Sequence, residues 1–157
     1  MPFWIKCLLC IVGIELLGFL SGWSTASSIR GWYDGLVKPP GTPPNWVFGP
    51  VWTLLYAAMG VALARVLHHV PKGRGKRKAL AWFGVQLFLN LVWTPVFFGA
   101  HMPGASLVII AALLVAIVLT IRAFHPLDRP AAVLLAPYLA WVGYATYLNA
   151  GFLLLNR

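Results

Sequence analysis

The sequence predicts an all-α integral membrane protein, a bundle of five transmembrane helices that forms a single domain over residues 1–157. Three observations predict it. Hydrophobic residues make up 61% of the chain and charged residues only 10%, with a positive mean hydropathy, which leaves too little polar surface for a soluble domain of this size. Five apolar runs each supply the roughly 20 residues that a spanning helix needs. Five of the twelve Lys and Arg residues crowd into PKGRGKRK, residues 71–78, as expected of a cytoplasmic loop under the positive-inside rule.

The runs are taken in order. The first covers about 3–26. Lys6, an apolar middle and the small residues Ser24 and Ala26 also fit a signal peptide, but the run is long and Glu15 interrupts it. The second covers about 46–67, the third 80–99, the fourth 105–124 and the fifth 131–155. Backbone groups in lipid must bond internally, so each run is read as a helix. Pro50 lies near the start of the second, and Pro95 and Pro137 are read as internal to the third and fifth. A proline frees a carbonyl and bends the axis, so three bent helices are expected to splay around a cavity.

Charge sets the orientation. With five spans, one side collects Lys6, Arg65, the five basic residues of 71–78, Arg122 and Arg129; the other holds Arg30, Lys38 and Arg157. That asymmetry puts the basic 71–78 loop in the cytoplasm and the 32–45 loop on the opposite face. The net charge of +9 comes with no nucleic-acid-reading module, so nucleic acid is not expected as a partner. Cys7 and Cys10 have no neighbouring ligand pair, so no metal site is expected and both read as small hydrophobes.

Three helical faces carry the chemistry. Gly49, Trp52, Tyr56 and Gly60 share one face of the second helix. Gln86, Asn90, Trp93 and Phe97 do so on the third, and Tyr138, Trp141, Ala145 and Leu148 on the fifth. Such faces suit a pocket for a flat, largely apolar ligand, and equally suit plain packing. Gln86 and Asn90 are either interhelical glue or ligand contacts. Glu15 is an acid inside a span and hence a functional candidate. Gly18 and Gly22, in GFLSG, favour close helix contact. His101 and Met102 form an adjacent pair of the type that ligates haem iron. There is no nucleophile constellation or P-loop, which excludes conventional hydrolysis and phosphoryl transfer.

The stretch WYDGLVKPPGTPPNWVFGPVWTLLY, residues 32–56, resembles the signature of the translocator protein (TspO, peripheral-type benzodiazepine receptor) family. NLVWTPVFFGA, 90–100, and PYLAWVGYATYLN, 137–149, resemble it too, in order and in register. The resemblance implies a bacterial member in the cell membrane, inner or outer, and a homodimer within the lipid bilayer. It implies binding of porphyrins, haem and related tetrapyrroles, and of benzodiazepine-site ligands, as ligands rather than required cofactors. It implies a pocket inside the bundle capped by the first loop, with Trp32 and Tyr33 packing over the ligand. Trp52 and Trp141 match ligand-contacting tryptophans, and Tyr56, Asn90 and Ala145 match pocket positions. Trp46, Phe48, Trp93, Phe97 and Leu148 complete the expected ligand-binding set.

The chain also departs from the family pattern. Gly41 stands where many members carry an aromatic lid residue, and Glu15 stands where a small or uncharged residue is expected. After Tyr147 the next basic residue is Arg157, too far for the proposed cholesterol motif. The expected function is a tetrapyrrole receptor or carrier with a transport, sensing or buffering role. The alternatives are light-dependent protoporphyrin degradation, with Trp52 and Trp141 as catalytic candidates, and a ligand-switched regulatory scaffold.

Overall fold

The computed structural model describes residues 1–157. Five helices are long and apolar enough to cross a membrane: α1 (Phe3–Trp23), α2 (Asn45–His69), α3 (Arg74–Gly99), α4 (Pro103–Phe124) and α5 (Arg129–Leu155). Between α1 and α2 a short helical turn, Ala26–Ser28, runs into one π-helical turn, Ile29–Tyr33, and then into a non-helical strap.

Two expected boundaries move. The first helix stops at Trp23 rather than near Ala26, and Ser24 and Thr25 form the turn that follows. The third begins at Arg74 rather than near residue 80. Arg74, Lys76, Arg77 and Lys78 therefore stand on the opening turns of α3, and only Lys72 of the basic group lies in the link. Arg and Lys are good helix formers, so the helix extends beyond its apolar part. Lys76 gains a role there: its Nζ donates to the carbonyls of Leu67 at 3.0 Å and Val70 at 2.9 Å. A cation thus satisfies orphan carbonyls at the C-terminal end of α2.

The prolines differ from one another. Pro50 lies inside α2. Pro95 opens a π-helical turn, Pro95–Gly99, that ends α3. Pro137 is not internal to a continuous helix, because α5 is interrupted at Leu135 and Pro137 sits in the first turn of the segment Ala136–Leu155. Leu135 takes up the break that the ring forces on the preceding turn. At the start of α5, Asp128 caps the helix by accepting from the Ala131 amide at 2.9 Å and pairs with Arg65 Nε at 3.0 Å. Burial works to raise the Asp128 carboxyl, but the bonds from Arg65 and Ala131 and the Arg65 charge outweigh it and hold the group below its usual value.

The core draws on all five helices, with α3 packed closely along α4. Met59, Ala62 and Val66 meet Ile110, Leu113, Ile117, Tyr138 and Val142, all buried. Helix α1 lies along α2 and more lightly against α3, and Ile14 is its single buried residue. The α1–α2 approach is close: a Cβ at Gly60 would lie 2.7 Å from the Ile11 Cα, and one at Gly18 2.3 Å from the Tyr56 ring. Small residues at these crossings let the helices touch.

Candidate ligand-binding cavity

Helix α1 presents Glu15, Gly18, Phe19, Gly22 and Trp23 to one cavity. Their spacing of three, four, seven and eight is one helical face. Helix α2 adds Phe48, Gly49, Trp52, Thr53 and Tyr56; α3 adds Trp93, Thr94 and Phe98; α5 adds Trp141 and Ala145. Thr25, Ile29, Tyr33 and Asn45 complete the wall from the connecting segment and the start of α2. The cavity is open on one side and has a volume of about 380 Å³, within the roughly 300–1,000 Å³ range of small-molecule sites.

The aromatic wall is ordered by its own contacts. Trp52 stacks on Tyr56 with ring centroids 5.4 Å apart and meets Tyr138 edge-on at 6.4 Å. Trp141 meets Phe48 edge-on at 6.0 Å and tilts against Tyr144 at 5.9 Å. Behind them a polar network crosses the bundle. Tyr56 donates to Asn90 Oδ1 at 2.8 Å, Asn90 Nδ2 donates to Tyr138 Oη at 2.8 Å, and Tyr138 donates to Gln86 Oε1 at 2.7 Å. A second network joins Trp93 Nε1 to Asn149 Oδ1 at 2.9 Å, and Ser106 donates to the same oxygen at 3.0 Å.

Two polar atoms on the wall are buried without a partner, Tyr33 Oη and Trp141 Nε1. Buried donors in a folded protein nearly always find an acceptor, so these two are exceptions, and both belong to residues that line the cavity. Tyr33 is 2% exposed, and burial, with the Asp34 charge adding to it, pushes its hydroxyl up to about 12. It is a neutral hydrogen-bonding group at physiological pH.

The expected site residues separate into four groups. Tyr33, Phe48, Trp52, Tyr56, Trp93, Trp141 and Ala145 line the cavity. Asn90 lies behind the wall with all its side-chain bonds directed at Tyr56 and Tyr138, so it and Gln86 act as interhelical glue. Phe97 and Leu148 pack in a neighbouring cluster with Tyr33 and Phe152. Trp32 and Trp46 are off the cavity. Trp32 stacks flat on His101, centroids 4.5 Å apart, and Trp46 is 75% exposed. His101, with φ of 56°, is held by that stack and by Ser28 Oγ at 3.3 Å, and neither it nor Met102 lines the cavity. The α1 face and Phe98 are wall residues that the three expected faces leave out. The spacing of Glu15, Gly18 and Gly22 carries the α1 signal.

The first loop is a strap rather than a plug. None of residues 34–44 lines the cavity; the segment is tied to α5. The Tyr144 hydroxyl donates to the Gly41 carbonyl, and that of Tyr147 donates to the Pro40 carbonyl at 2.8 Å. The Asn156 amide bonds both polar groups of the Val37 backbone, at 2.8 and 2.9 Å. Pro39 packs onto Gly151, where a Cβ would come within 2.6 Å of it. Gly41 has φ of 85°, a left-handed conformation that favours glycine. The residue that departs from the family's aromatic thus has a backbone role of its own.

Comparison with known proteins gives the same frame. The TspO/MBR family model matches residues 10–155. The chain is 45% identical to the "Tryptophan-rich protein TspO" of Chlorobaculum tepidum over 94% of both chains. It is 42% identical to the "Tryptophan-rich sensory protein" of Cereibacter sphaeroides over 80% of this chain and 77% of that one. It is 39% identical to the "Translocator protein" of Bos taurus over 88% of this chain and 85% of that one. With five spanning helices and a family match over nearly its whole length, the chain is an integral multi-pass membrane protein and belongs to the TspO/MBR family.

Proposed function

We propose that the chain is a membrane receptor that binds a flat, largely apolar ligand of the tetrapyrrole class inside the bundle, and senses, buffers or passes on that ligand. The observation that carries this reading is the 380 Å³ cavity with Trp52, Trp93, Phe98 and Trp141 in its wall. Aromatic walls with a few polar groups suit a planar π-system. The printed names "sensory protein" and "translocator protein" among the relatives agree with a receptor role.

The chemistry of the wall narrows the mode of binding. No Lys, Arg or His lines the cavity, so tetrapyrrole carboxylates stay at its mouth. No His, Cys or Met lines it either, the Tyr56 hydroxyl is committed to Asn90 and that of Tyr33 is sealed from the cavity, so recognition is by the faces of the macrocycle and does not depend on iron. Metal-free protoporphyrin and haem should therefore bind comparably. Smaller benzodiazepine-site ligands fit the same space.

A second reading rests on the position of Trp52 and Trp141, which line one cavity. Two oxidisable indoles beside a bound porphyrin would be placed to exchange electrons with it under light. Titration of detergent-solubilised protein with protoporphyrin, followed by tryptophan quenching in the dark and then under light, separates the two. The receptor reading expects saturable quenching and a stable porphyrin band. Light-dependent loss of that band, abolished by Trp52→Phe and Trp141→Phe, would favour the enzyme. Absence of saturable quenching would remove both.

A further inference from the structure

Glu15 is the single acidic residue within the five spans, and it lies on the cavity wall. Its carboxyl accepts no hydrogen bond within the chain, and the one ion pair in the structure is Arg65–Asp128. No basic side chain shares the cavity. Lys6, on the same helix, is nine residues away, about 14 Å along the axis. A carboxyl in the membrane is costly unless a cation or a hydrogen-bond donor meets it. The protein supplies neither.

The rest of the wall complements that group. Trp52, Trp93 and Trp141 line the same space, and indole faces attract a cation. The cavity therefore offers one acidic acceptor and aromatic faces.

We infer that Glu15 is the counter-group for a nitrogen cation, and that the cavity selects flat aromatic ligands bearing a protonated amine or ring nitrogen. This rests on the reading of the cavity as a ligand site. A tetrapyrrole, whose ring nitrogens are uncharged or metal-bound at neutral pH, binds by its faces and does not depend on this contact. Glu15 acts by direct contact with the ligand, because it stands on the wall and has no other partner.

The test uses the full chain in detergent and a matched pair of probes, cationic 2-(aminomethyl)naphthalene and neutral 2-(hydroxymethyl)naphthalene, titrated by calorimetry at neutral pH. Protoporphyrin is titrated in parallel. Wild type is expected to bind the amine at least about tenfold more tightly than the alcohol. Glu15→Gln is expected to bring the two within about twofold, chiefly by weakening the amine. Glu15→Ala provides the same comparison should the amide disturb the fold. Equal affinities in wild type, or a preference that survives both substitutions, would overturn the role of Glu15. If protoporphyrin and the alcohol still bind in that case, the site reading stands. If wild type binds none of the three ligands, the cavity reading and the Glu15 inference fall together.

Discussion

The Tyr56 hydroxyl donates to Asn90 Oδ1 at 2.8 Å, and both residues are buried. This bond joins α2 to α3 directly behind the tryptophan wall, and Trp52 stacks on the tyrosine that makes it. It sets the position of one side of the cavity without itself being a ligand contact. Tyr56→Phe keeps the ring and removes the donor, leaving Asn90 Oδ1 unpaired. Hydrogen bonds between membrane helices average below 1 kcal/mol with a maximum near 1.7. A loss of about 1 kcal/mol in unfolding by denaturing detergent is expected, with protoporphyrin affinity changed by less than about threefold. Unaltered stability would show that the bond does not hold the helices.

The strap depends on Gly41. Replacement by alanine forces a Cβ into a backbone at φ 85° and places it 3.3 Å from the Tyr144 hydroxyl. A non-glycine residue in this conformation costs roughly 1–2 kcal/mol. Gly41→Ala should loosen the tie to α5 and make residues 34–44 cleave faster under limited proteolysis. Cleavage at the wild-type rate would contradict the strap.

The Asp128 carboxyl caps α5 and pairs with Arg65. Because its folded value lies below the unfolded one, its stabilisation is fully present above the unfolded value of about 3.9 and is lost as pH falls through the folded value. Asp128→Ala should lower stability at neutral pH by about 1–2 kcal/mol, the usual cost of a lost cap. The difference from wild type should narrow as the pH is taken below about 4 in thermal unfolding. A gap independent of pH would mean that the carboxylate charge contributes nothing.

The five spans were legible because apolar length alone marks a membrane helix. The start of α3 was not, because hydropathy sees only the part in lipid, whereas Arg74, Lys76, Arg77 and Lys78 continue the helix beyond it. Trp52, Trp141 and Ala145 were legible from helical spacing and from family resemblance together, and they line the cavity. Trp32 was not. Family resemblance alone placed it over the ligand, and the π-helical turn that carries it directs it to His101. Asn149 went unread although a lone amide in an apolar span is a signal of pairing; it holds Trp93 and Ser106. Gly18 and Gly22 were read as a helix contact. Only Gly18 makes one, against Tyr56, while a Cβ at Gly22 would meet nothing within 4 Å.

The most direct test of the central claim is the affinity for protoporphyrin of Ala145→Phe against wild type, measured by tryptophan quenching. Ala145 lines the cavity and is 7% exposed, so a phenyl group there fills space that the ligand needs. Saturable binding in wild type, weakened at least about tenfold in a variant that keeps its helical circular dichroism, is the predicted result. Equal affinity in the two proteins would place the porphyrin outside the bundle and contradict the account.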